Sequence, residues 1–201
     1  MRIGRIPYIN CYPVYGAIDR GIVTLDGTLV DGIPSALNHQ MADGSLDVSV
    51  VSAVEYARDS RRYLLLPDLA ISCDGPVRSV MLFSKRPARE LSGHRVIVSR
   101  SSMTSVALVE LLAENVWRVR PEFVPGNSEL ADIARFGEEE HEARLVIGDA
   151  ALILNDARHG VGEGTQATYP YVYDLGSEWK AWTGLPFVFA VWVAQRTTPV
   201  A

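Results

Sequence analysis

Residues 2–15 read RIGRIPYINCYPVY, and the fold is decided by how this stretch is read. Ile3 and Ile6 belong to a short opening strand that can turn apolar side chains toward a core, and the strand stops at Pro7. Pro7 and Pro13 each fix φ and remove a backbone donor, so the residues between them are neither strand nor helix interior. Pro13 suits the first turn of a helix, where its missing N–H costs nothing, and Gly21 can end that helix over Pro13 to Arg20. Asn10 is therefore held on a loop beyond the carboxyl end of a strand. That is where ligands bind in open α/β sheets. Local geometry alone also allows Asn10 to bond only its own loop, as Asn commonly does.

Strand and helix signals alternate from there. Thr28 to Asp31 reads as a strand, and a helix opening at Pro34 or Ser35 keeps Leu37 and Met41 on one face and ends at Gly44. LDVSVV, residues 46–51, is a strand. Ser52 stands where it meets a short helix, Ala53 to Asp59. Tyr63 to Leu66 is an apolar run that Pro67 is expected to break. Residues 72–84 form a turn and then a strand whose Val77, Ser79, Met81 and Phe83 share one face. Ser79 is the polar exception there, either bonded to a neighbouring carbonyl or functional.

His94 to Ser99 is the next strand, and SSMTS, residues 101–105, opens a strongly apolar helix. The free N–H groups of a helix start and the positive end of its dipole attract anions. Capping explains one or two hydroxyls but not four. The cluster of Ser101, Ser102, Thr104 and Ser105 is therefore read as an anion site. Pro121 to Val124 is a strand, Glu129 to Phe136 a helix, and EEEHE at 138–142 a solvated acidic surface. Leu145 to Ile147 is a buried strand ending at Gly148-Asp149, with Asp149 capping a helix Ala150 to Asn155 and so aiming backbone amides at a ligand. His159 to Thr168 is a Gly-rich loop. Tyr171 to Leu175 is a strand, Glu178 to Trp182 a short helix ended by Gly184, and PFVFAVWV at 186–193 a buried strand.

This alternation specifies an α/β fold. Crossovers near 85–93 and 183–186 divide it into a discontinuous first lobe, 1–86 plus 187–201, and an inserted second lobe, 87–186. Two strands would form the hinge, with the ligand cleft between the lobes.

Composition narrows the function. The 201 residues are 48% hydrophobic with mean hydropathy +0.08, enough to bury a core. A net charge of −5 and a pI near 5.4 argue against a nucleic-acid surface and favour a small-molecule partner. Cys11 and Cys73 form no C-x-x-C pair and lie near no His cluster, so neither a disulfide framework nor a zinc site is indicated. Met1 is followed by no apolar signal segment, and no apolar run approaches the ~20 residues of a membrane span. A soluble cytoplasmic protein is expected.

Several strings in order resemble one family: RIPYINCYPVY, GSLDV, VSAVE, LPDLAISCDGPVRSV, SSMTSVAL, IGDAAL and DLGSEWKAWTGLPFVFAVW. The chain is similar throughout to the chorismate dehydratases of the futalosine route to menaquinone. The resemblance implies a two-lobed fold of the type II periplasmic-binding-protein kind used by an enzyme. It also implies loss of water from chorismate to give 3-(1-carboxyvinyloxy)benzoate, without metal or cofactor. Asn10 and Ser79 would be catalytic. Substrate would be bound by Ser52, Ser102, Thr104, Ser105, Gly148 and Asp149. Family members continue past the last strand into further helices, which are expected to be absent here. Two rivals share the fold: the naphthoate-forming enzyme of the same route and a non-catalytic solute-binding protein.

Overall fold

A computed structural model describes residues 1–126, 140–159 and 168–198. The expected helix 129–136, Glu138 and Glu139 of the acidic run, nearly all of the Gly-rich loop and the last three residues lie outside the described residues. The strands are β1 (Arg2–Arg5), β2 (Thr28–Asp31), β3 (Val48–Ser52), β4 (Tyr63–Cys73), β5 (Val80–Ser84), β6 (Arg95–Ser99), β7 (Glu122–Gly126), β8 (Ala143–Ile147), β9 (Tyr171–Asp174) and β10 (Phe187–Gln195). The helices are α1 (Tyr12–Asp19), α2 (Pro34–Ala42), α3 (Ala53–Arg58), α4 (Met103–Leu112), α5 (Gly148–His159) and α6 (Leu175–Thr183).

The chain divides into two units, residues 1–72 with 188–201 and residues 73–187. The first is built on a sheet of order β2-β1-β3-β10-β4. β1 runs parallel to β2 and β3, whereas β10 returns antiparallel to β3 with Ala190 opposite Ser52. The sheet packs on α1 and α2 through Tyr15, Leu37, Met41, Val50, Tyr63 and Trp192. β1 lies so close to β3 that a Cβ on Gly4 would sit 2.8 Å from a Leu46 methyl and closer still to the Ser49 hydroxyl.

Pro67 does not break the run that contains it. β4 is continuous from Tyr63 to Cys73 because it lies at the sheet edge, where a residue without an N–H leaves no ladder bond unmade. Asp68, at φ +61°, takes up the local irregularity.

The second unit holds a sheet of order β7-β6-β8-β5-β9. β6 is parallel to β7 and β8, and β5 is antiparallel to β8 and β9. This corrects the expected boundary after residue 86. All five residues of β5 are buried, and the strand is hydrogen-bonded on both sides within the second sheet. The segment 85–93, expected to cross between lobes, instead forms a 3-10 turn at Ala88–Glu90 inside the second unit. Both chain crossings fall within strands, at Ser72/Cys73 in β4 and Phe187/Val188 in β10. β4 and β10 are neighbours in the first sheet.

Candidate functional site

In the first unit, β1 and β3 are parallel and end at the same edge. Beyond β1, a 3-10 turn at Ile9–Cys11 carries Asn10, closed by the Cys11 N–H on the Tyr8 carbonyl at 3.0 Å. Pro13 falls in the first turn of α1, as its fixed φ favours. Asn10 is exposed, and its side chain makes no hydrogen bond to any described residue. Its amide is therefore not spent on its own loop. Cys11 beside it is buried, and burial pushes its thiol up to about 11, which keeps it neutral and a poor nucleophile.

Ser52 ends β3 at that edge and is buried. Its Oγ accepts the Glu55 N–H at 3.2 Å, capping α3, and the Asn38 side-chain amide at 3.0 Å. Only its own hydroxyl proton is left for a ligand.

The second sheet gathers the other candidates at one edge. β6 and β8 are parallel, so α4 and α5 both start there, and antiparallel β5 starts there too, with Val80 opposite Ile147. Ser79 immediately precedes β5. The expected strand 77–84 begins late because Arg78 is left-handed, at φ +63°, and takes its neighbours out of the ladder. The Ser79 carbonyl accepts the Gly148 N–H at 2.8 Å, which joins the two segments directly. Its half-buried hydroxyl makes only a long 3.4 Å bond to the Val77 carbonyl. It is weakly held and available.

At the start of α4, Ser102 is the cap. Its Oγ accepts the Ser105 N–H at 3.2 Å and donates to the Ser105 hydroxyl at 2.8 Å. Thr104 and Ser105 are 3% and 2% exposed. Capping thus accounts for Ser102 and Ser105 together, in line with the one or two hydroxyls expected of it. α5 begins at Gly148, not Ala150, which corrects the expected role of Asp149. Gly148 takes φ +61° at the junction, and Asp149 lies within the first turn rather than at the cap. The Asp149 Oδ1 is buried with no hydrogen-bond partner among the described residues.

One residue at this edge escaped the sequence reading. Asp174 ends β9 and caps α6: Oδ1 accepts the N–H groups of Ser177 and Val77, both at 3.0 Å, and Oδ2 accepts that of Arg78 at 2.7 Å. An Asp before a helix, followed by Ser and Glu in the first turn, is a helix-start signal. The strand reading of residues 171–175 concealed it.

The site residues are thus mainly amide and hydroxyl donors that do not titrate near neutrality. Among the described residues, no group of three or more His, Cys, Asp or Glu is placed to hold a metal ion, and no helix is long and apolar enough to cross a membrane.

Comparison with known proteins fits these features. The chain is 32% identical over 203 residues to the chorismate dehydratase of Thermus thermophilus, covering 96% of this chain and 72% of that protein. Among solved structures, protein AF1704 of Archaeoglobus fulgidus matches with a TM-score of 0.72 at 21% identity, over 99% of this chain and 69% of that one. The alkanesulfonate-binding protein SsuA of Xanthomonas axonopodis matches with a TM-score of 0.61 at 14% identity, over 98% of this chain and 65% of that one. At such identities these likenesses establish the fold alone, the type II periplasmic-binding-protein fold. The model of a menaquinone biosynthesis family matches residues 1–201, the whole chain, and the chain belongs to that family.

Proposed function

We propose that the protein is a chorismate dehydratase, a carbon–oxygen lyase that forms 3-(1-carboxyvinyloxy)benzoate on the futalosine route in the cytoplasm. The observation that carries this reading is the family match over residues 1–201, together with 32% identity to a curated chorismate dehydratase over 96% of the chain.

The residues suit the chemistry. The C3–H bond of chorismate breaks and its electron pair enters the ring, while the C4–O bond breaks and the hydroxyl leaves with its pair; proton and hydroxide make up the water lost. The ring becomes aromatic, which supplies the driving force. The protein has mainly to orient a dianion and stabilise charge as it develops. Asn10 and Ser79 provide donors for this, and a fixed donor of that kind contributes about 3 kcal/mol to the transition state. The proton passes to the substrate's own enolpyruvyl carboxylate or to a water, since neither residue is a base. Ser102, Thr104, Ser105, Gly148 and Asp149 belong to two helix starts at one sheet edge, where backbone N–H groups favour a carboxylate. Ser52 contributes its remaining proton.

Incubation with chorismate, followed by liquid chromatography, tests the reading. Formation of 3-(1-carboxyvinyloxy)benzoate supports it. Binding of chorismate without conversion would make the chain a solute-binding protein, and conversion only of a later intermediate would make it the naphthoate-forming enzyme.

A further inference from the structure

The segment that presents Ser79 is held by a carboxylate distant in sequence. Val77 and Arg78 donate their N–H groups to Asp174 at 3.0 and 2.7 Å, and Arg78 adopts a left-handed backbone at φ +63°. A non-glycine residue persists in that region only where its surroundings impose it. The two charge-assisted bonds to Asp174 impose it here. The first turn of α6 seals the same segment. A Cβ on Gly176 would lie 2.5 Å from the Gly75 carbonyl oxygen, 2.7 Å from the Cys73 sulfur and 3.1 Å from the Val77 nitrogen. Ser79 follows directly, fixed by its carbonyl to Gly148 at 2.8 Å but with its hydroxyl only weakly bonded. The direction of that hydroxyl is therefore set by the backbone at Val77 and Arg78.

We propose that Asp174 is a positioning residue for the reaction: its carboxylate locks residues 77 and 78 in the conformation that aims the Ser79 hydroxyl at substrate, given the dehydratase reading above. Asp174 need not touch chorismate to do so. The side chain serves two tasks, and they separate by atom. Oδ1 caps α6 at Ser177 and holds Val77, whereas Oδ2 holds Arg78 alone. Asp174→Asn keeps an oxygen for the cap, and Asn is as good a helix cap as Asp. It sets an amide N–H₂ against the Arg78 N–H, so donor meets donor.

The test uses the full chain and the variants Asp174→Asn, Ser79→Ala and the double variant. Chorismate turnover is measured in each, with amide hydrogen exchange at residues 77–79. Asp174→Asn should speed exchange at those amides and lower kcat by about tenfold to a hundredfold, the range for a displaced reacting group, with KM within about twofold. In the Ser79→Ala background it should cost no more than about twofold further, because the hydroxyl it aims is gone. A purely structural role would reduce both backgrounds alike. Unchanged kcat in Asp174→Asn, or losses that multiply in the double variant, would overturn the proposal. An unaltered chain that does not turn over chorismate would overturn the dehydratase reading and the role with it, an outcome distinct from failure of the clamp alone.

Discussion

Asn38 and Ser52 hold each other by two hydrogen bonds: the Asn38 amide donates to the Ser52 hydroxyl at 3.0 Å, and the Ser52 backbone N–H donates to the Asn38 carbonyl oxygen at 3.0 Å. Both residues are buried, and together they tie α2 to the end of β3. Ser52→Ala would remove the oxygen that accepts the Asn38 side-chain amide and would uncap α3. It is expected to lower stability by about 1–3 kcal/mol, seen as a lower denaturant midpoint at unchanged slope. A raised KM at unchanged stability would show instead that the hydroxyl serves mainly to bind substrate.

The return strand β10 is anchored by a relay. Trp192 donates its indole N–H to the Tyr15 hydroxyl at 3.0 Å, and Tyr15 donates to the Gly4 carbonyl at 3.0 Å, so β10, α1 and β1 share one buried chain of bonds. Tyr15→Phe keeps the ring, takes the partner from the buried Trp192 indole N–H and removes the Tyr15 bond to the Gly4 carbonyl. A loss of about 1–3 kcal/mol is expected in equilibrium unfolding. A variant as stable as its parent would show that the relay contributes nothing net.

Acid should weaken the first unit. The hydrogen bonds from the Arg2 guanidinium and backbone N–H hold the Asp47 carboxyl below its ordinary value, and Arg5 does the same for Asp31. In the unfolded chain these groups titrate near ~3.9. Their contribution is therefore complete above that value and is lost as pH falls through the lower folded values. Asp47→Asn should flatten the fall in stability below about pH 4. Because Arg2 is half-exposed, the effect should shrink in high salt. An acid limb identical in the variant and its parent would contradict this.

Much of the architecture could be read from Pro, Gly and apolar spacing. Pro7 and Pro13 delimit the loop of Asn10, Gly44 and Gly184 end α2 and α6, and the β-branched run after Pro186 is the antiparallel return strand β10. What could not be read depended on partners remote in sequence. Pro67 looks like a break unless the strand is known to lie at an edge. Residues 80–84 are apolar enough for either sheet, and only their pairing with β8 and β9 assigns them to the second unit. The late start of β5 and the role of Asp174 have one cause, the carboxylate that receives the Val77 and Arg78 amides. No local pattern at residues 77–79 encodes it.

Asn10 is exposed, and its side chain has no partner among the described residues, so replacing it should not disturb the fold. Asn10→Asp is expected to lower kcat by about a hundredfold or more, the effect of losing a charge-stabilising donor. KM should also rise, because a new negative charge would face a dianion. Turnover and unfolding measured on the same preparation check both points, and a large loss of stability would mean that the loop, not the chemistry, had been altered.

Ser79→Ala is the cleanest test of the central claim, since it removes one hydroxyl, adds no charge and breaks only a 3.4 Å bond. Steady-state kinetics on chorismate should show kcat reduced by about a hundredfold or more with KM within about twofold, the pattern of an interaction made in the transition state. Near-parental kcat in a folded Ser79→Ala variant of an active chain would contradict the account.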